Sequence, residues 1–185
     1  MFSKNTLEQQ LKGTITLIDW SIALVPVERL LDAPPHGEHP KADPRFSNYF
    51  GQWSAYRLLF HLVHYESTIA LPAMMHWLGD PAPIFDLMDP NRELEKTAWN
   101  EELEQGPDLT NLLDRFHTCR QEQIVVLRAI PDKQWGVEKL NTMLGKVSAA
   151  VVVSKTIQHT LEHGSDILKN ALYWDRALEW LESRG

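Results

Sequence analysis

The segment "IQHTLEHGSDIL", residues 157–168, carries two histidines four positions apart, His159 and His163. On a helix, four residues is slightly more than one turn, so both imidazoles leave from the same side. Two nitrogens presented in this way are a familiar beginning of a site for a divalent ion, and a third ligand from another element would leave one coordination position open for chemistry. The pair alone does not decide the matter. The chain has eight histidines, enough for such a spacing to arise with no metal involved. Taken by itself, the pair reads as two histidines at the border of a core.

A helical wheel refines this. Ala149, Val153, Ile157, Gly164, Ile167 and Ala171 mark an apolar centre, and Lys155, Gln158, Glu162 and Lys169 mark a solvent side. His159 and His163 fall between them, beside Thr156 and Asn170, where the mouth of a pocket would form. The stretch "WSAYRLLFHLVHYESTIALPAMMHWL" is a second helix, apolar around most of its circumference, with Arg57, His61, His64 and Thr68 on one narrow side. Glu66 breaks the pattern. It falls among Leu59, Leu62 and Ala73, and a buried carboxylate is costly unless paired or hydrogen-bonded, so it needs a partner. The wheel sets it about 140° from His61, which favours a structural role over a place in a site with that histidine.

Other chemistries lack support. The zincin motif needs Glu directly after its first histidine, where this chain has Thr160. Di-iron bundles need Glu-x-x-His, and Thr156, Thr160 and Leu58 stand where those acids would be. Cys119 sits on the inner side of a helix and reads as core. His76 and His117 have no partner at ligand spacing, and His36 and His39 fall in a loop.

The elements that must position these residues are helical. Leu7, Leu11, Ile15, Ile18, Ile22 and Val25 trace one side of a helix over roughly 5 to 31, and "DAPPHGEHPKADP" breaks the chain after it. The second helix spans about 48 to 78, with Ser54 a candidate cap and Pro72 predicting a kink or an early end. A long connection follows, with a short helix near Glu93 to Glu104. A third helix starts near Asp108, buries Leu109, Leu112, Leu113, Phe116, Cys119, Val126, Leu127 and Ile130, and stops at Pro131. A fourth runs from about 147 to 174, with "RALEWLESR" extending it or adding a short tail helix, and no alternating strand of useful length is visible. The expectation is an all-α protein: one domain over residues 1–185, a four-helix bundle with two long connections.

Composition sets outer limits. With 18 basic and 25 acidic residues the net charge is -7, which argues against a nucleic-acid partner. No apolar run reaches the length of a membrane span, Asp19 interrupts the N-terminal apolar stretch, and the single cysteine excludes an internal disulfide. A cytoplasmic location and no membrane association are expected. The all-round apolar second helix, with Tyr56, Phe60, Val63 and Met74 on the arc away from Leu58 and Ile69, suggests a second chain as cover, and so a homodimer.

These residues resemble a known family. "WSAYRLLFHLVHYE" is similar to the second-helix signature of the DinB-like (damage-inducible) four-helix metalloproteins: a Trp-Ser start, an apolar stretch to His-Leu, and an acid five residues on. "IPDKQW", a Gly-containing segment and "HTLEHGSDIL" resemble the end of its third helix, its crossover and its His-x-x-x-His fourth helix. The resemblance implies one divalent metal ion (zinc, nickel or iron) held by His61, His159 and His163, with His64 the competitor for the first place. It also implies an enzyme of the thiol-transferase type acting on a small-molecule substrate together with a low-molecular-weight thiol. A metal-dependent hydrolase and a non-catalytic binding or stress-response module are the alternatives. Glu66, Tyr65, Arg57 and Glu162 are the candidates for a general base, and none stands out.

Overall fold

The computed structural model describes residues 2–34, 51–81, 93–141 and 144–183. Helices carry the fold: α1 (Lys4–Ala23), α2 (Ala55–Tyr65), α3 (Leu71–Met75), α4 (Glu93–Gln105), α5 (Leu109–Ala129), the short α6 (Asp132–Trp135) and α7 (Ala149–Ser183). A π-helical turn, Glu66–Ala70, joins α2 to α3 without a break. In the bundle, α1 packs mainly on α7 and α5, while α2 also packs on α5 and α7. Thus α1 and α2 lie diagonally opposite, and His61 on α2 faces the helix that carries the other two histidines.

Local chemistry sets the boundaries. Ser3, Ser54 and Asp108 each accept a hydrogen bond from the backbone N–H three residues ahead, the cap that α1, α2 and α5 require. α1 is shorter than its apolar spacing predicted: Pro26 has no N–H to continue it, and Val27–Arg29 form a separate 3-10 turn. The second helix begins at Ala55, after its Ser54 cap, later than the expected start near 48. Pro72 does not end it. The Leu71 N–H reaches back five residues to the Glu66 carbonyl, and this wider turn makes room for the proline ring where an α-turn would clash. The fourth helix is one element to Ser183, so the tail extends it.

A short hairpin was not expected. Glu138–Asn141 pairs antiparallel with Gly145–Ser148, and α7 starts two residues later than predicted. Strands of four residues are too brief for alternation to register, and Leu140 stays 63% exposed. Gly145, at φ 74°, takes the left-handed turn that returns the chain.

The core has two apolar bodies. One gathers Leu7, Leu11, Met74, Trp77, Leu127 and Val153; the other gathers Ile18, Ile22, Leu59, Leu62, Phe116 and Ile167. Between them along α1, α5 and α7 lie the buried polar residues Thr14, Arg120, Gln123, Thr156 and Thr160, and Glu66 fills the same place between Val63 and Ala73. Cys119 is buried as expected. The arc that suggested a partner chain is covered within one chain: Tyr56, Phe60, Val63 and Met74 are all buried. Trp99 of α4 packs on Tyr56 and Phe60, with ring centroids 6.1 and 5.2 Å apart. No helix among the described residues is long and apolar enough to cross a membrane.

Candidate metal centre

Ser54 starts α2 in the register that turns His61 toward α7, while the i,i+4 spacing on α7 turns His159 and His163 back toward it. One nitrogen from each ring lies within 4.8 Å of the other two. The ring centroids form a tight triangle, with sides of 5.1, 4.9 and 4.6 Å. His61 is buried and the other two are half-buried, so the cluster sits at the edge of the core, as the wheel predicted. His64 is not part of it. That ring stacks on Phe60, 6.1 Å away, and burial pulls its pKa below the usual imidazole range.

The donor set suits a metal. His61 Nε2 and His159 Nε2 are 3.2 Å apart. Two nitrogens at 2.0–2.1 Å from a shared tetrahedral ion would be separated by about 3.3 Å. His61 Nδ1 lies 3.0 Å from Glu95 Oε1. A carboxylate this close favours the ring proton on Nδ1, and that tautomer keeps the Nε2 lone pair for an ion. The three rings fit a divalent cation that accepts imidazole nitrogen.

Aromatic residues wall the site. Trp53 lies against His61 and His163, at 5.0 and 6.4 Å between centroids. Tyr65 covers His159 at 4.0 Å. Burial, with help from the Glu66 carboxylate, pushes the Tyr65 phenol up to about 12, so it stays protonated at neutral pH. Asp166 stands 3.6 Å from His163 Nδ1 and pairs with Lys169 at 2.9 Å. Its burial raises the Asp166 pKa, but His163 and Lys169 outweigh that and hold it below the usual carboxylate range.

Sequence reasoning missed Glu95. Its carboxylate lies 2.5 Å from Arg57 Nη2, and the Arg57 guanidinium is enclosed by the rings of Trp53, Phe60 and Trp99. Burial pushes the Glu95 carboxyl up; the hydrogen bond from His61 and the positive charge of His61 and Arg57 act more strongly and hold it at about 2. A signal was available: Glu95, Ala98, Trp99 and Glu102 follow the i, i+3, i+4, i+7 spacing of one helix side. No sequence rule says that an acid on such a side meets a histidine.

The candidate bases are otherwise engaged. Glu66 is bound to Arg120, Gln123 and Thr160, with Arg120 Nη2 and Thr160 Oγ1 each 2.9 Å from its Oε1. Arg57 holds Glu95. Glu162 is exposed and accepts from Gln158 at 2.8 Å. His76 Nδ1 meets the Asp80 carbonyl, and His117 pairs with Asp19 on the surface. His36 and His39 lie outside the described residues.

A comparison with curated proteins finds no match. A comparison with protein families matches residues 10–167 to the DinB superfamily. That span includes most of α1, His61 of α2, all of α5 and both α7 histidines, so this chain belongs to the DinB superfamily.

Proposed function

We propose that this protein is a metal-dependent enzyme of the thiol-transferase type, with one zinc, nickel or iron ion held by His61, His159 and His163. The observation that carries the reading is the ligand set: three imidazoles at a half-open edge of the bundle, with no carboxylate or thiolate among them. Neutral ligands leave the full charge of the ion available, and an ion so held supplies a Lewis acid that lowers the pKa of a coordinated thiol. The chain's own residues supply position and shielding. Glu95 orients His61, Trp53 keeps water from one side of the rings, and Tyr65 covers His159. An open cleft of about 400 Å³, lined by Trp53, Arg57, Lys96 and Trp99 among others, lies on the other face of the residues that wall the site. Glu66, Arg57 and Glu162 have other partners and the Tyr65 phenol stays protonated, which favours a thiol, acidic enough to ionise at a metal, over a water that needs a base. The reading requires no second chain on α2. A single buried cysteine, its thiol pushed up to about 12 by burial, fits work in a thiol-rich cytoplasm.

The test is a screen of untagged protein loaded in turn with zinc, nickel and ferrous iron, offered a low-molecular-weight thiol with a panel of electrophiles, and followed by loss of free thiol. Metal-dependent thiol consumption that disappears in His163→Ala supports the reading. Ester or amide cleavage with no thiol consumed would replace it with a hydrolase. Metal retention with neither activity would leave a binding module.

A further inference from the structure

α4 is polar and largely exposed, and its one buried residue is the carboxylate of Glu95. A buried charge as the deepest anchor of a helix is costly unless fully partnered. Arg57, 2.5 Å away, would suffice to neutralise it. Yet the same oxygen also lies 3.0 Å from Nδ1 of the one imidazole that α2 contributes to the triangle. The opposite nitrogen of that ring faces His159 at 3.2 Å. An acceptor at Nδ1 selects the tautomer with Nδ1 protonated and orients the ring.

We propose that Glu95 is a positioning residue for His61: it holds the ring with Nδ1 protonated and Nε2 aimed at His159, and so ties the docking of α4 to occupancy of the three-histidine site. The first half stands on the geometry of Glu95 and His61; the second rests on the metal reading above. Coupling follows from linkage. If α4 must be docked for His61 to be well placed, an ion that binds the docked state stabilises that state, and undocking weakens the ion's affinity by the same factor. α4 packs chiefly on α2, and another polar tie is Glu102, which accepts from Tyr56 Oη at 2.8 Å and from Arg115 at 2.7 Å.

Two readouts on the untagged full chain decide the proposal. The first is the ¹⁵N spectrum of the imidazoles in metal-free protein at pH 8. Wild type should show His61 protonated at Nδ1; Glu95→Ala should shift it toward Nε2–H; Glu95→Gln, whose amide oxygen still accepts, should restore the wild-type pattern. An unchanged tautomer in Glu95→Ala overturns the proposal. So does an equal shift in Glu102→Ala, which would show that loosening α4 is enough. The second readout is zinc affinity by competition with a chromophoric chelator, together with amide exchange across Glu93–Gln105. Glu95→Ala should weaken zinc roughly 10- to 100-fold, and zinc should slow exchange in α4 of wild type but not of that variant. Equal affinity, or exchange in wild type that ignores zinc, overturns the coupling. A wild type that takes up no zinc would defeat the metal reading instead, and the tautomer result would still judge Glu95.

Discussion

Two polar clusters interrupt the apolar bundle, and they solve the cost of burial in opposite ways. The deeper one is closed to solvent. Glu66, Arg120, Gln123 and Thr160 are each no more than 1% exposed. The Glu66 carboxylate accepts from all three, and Arg120 also donates to Gln123 and Thr160 at 2.7 Å. The acid is held by three buried side chains, which marks this cluster as a structural layer between two apolar bodies. The second cluster is at the edge and is open. There the acid, Glu95, lies against the outer nitrogen of His61 and the Arg57 charge, and the inner nitrogen of His61 faces His159. Thr160 joins the two: it belongs to the closed layer and lies between His159 and His163 in the chain, so the layer fixes the register of the helix that carries both ligands.

The largest effect should follow from opening the closed layer. Arg120→Ala leaves the Glu66 charge buried without its partner, which costs about 3–5 kcal/mol. The melting temperature should fall by roughly 10 °C. Glu66→Gln should lower it in the same direction by a smaller amount. Metal content per folded chain should stay unchanged in Glu66→Gln. If that variant keeps its stability and loses metal, the two clusters have been assigned the wrong way round.

The next effect reverses the pattern. His159→Ala should abolish stoichiometric metal binding while changing the stability of the metal-free protein by no more than about 1 kcal/mol, because it removes a half-buried ring outside the closed layer. Urea unfolding of the metal-free pair measures it. A loss as large as that of Arg120→Ala would make His159 part of the scaffold.

Acid sharpens the contrast at Glu95. Its carboxyl titrates at about 2 in the folded chain against an ordinary 4.5. A depressed carboxylate contributes stability that is fully present above the unfolded pKa and is lost as pH falls through the folded one. The stability gap between wild type and Glu95→Gln should therefore shrink as pH falls from about 4.5 toward 2. Urea midpoints at several pH values would show it, and a gap that grows on acidification would contradict the assigned pairing.

The smallest effect lies beside the site. A Cβ on Gly164 would come 3.0 Å from the Leu17 side chain of α1. Leu17 is half-buried and its tip can move, and Ala favours a helix over Gly by about 1 kcal/mol. Gly164→Ala should change stability by less than about 1 kcal/mol and leave metal content intact. Loss of metal here would mean that the α1–α7 spacing tunes the triangle.

The sequence made the helices and the histidine edge legible because both depend on periodicity within one element. His159 and His163 fell at the core border of α7, Ser54 was a recognisable cap, the third helix was placed to start near Asp108, and the acid among leucines at Glu66 announced a partner. What it left out depends on pairing between distant elements. Arg120 and Gln123 look like two ordinary polar positions of α5, and only packing brings them to Glu66. Glu95 sits in a polar helix whose docking no local pattern specifies. Part of the arc that asked for a second chain, Tyr56 and Phe60, meets that same helix through Trp99. The π-turn at Glu66–Ala70 and the four-residue strands are too short to leave a periodic trace.

Metal content of the untagged protein, set beside that of His61→Ala and His64→Ala, tests the central claim most directly. Elemental analysis should find close to one divalent ion per wild-type chain, close to none with His61→Ala and a full complement with His64→Ala. An empty wild type after exposure to zinc, nickel and ferrous iron, or metal that survives His61→Ala and vanishes with His64→Ala, would contradict it.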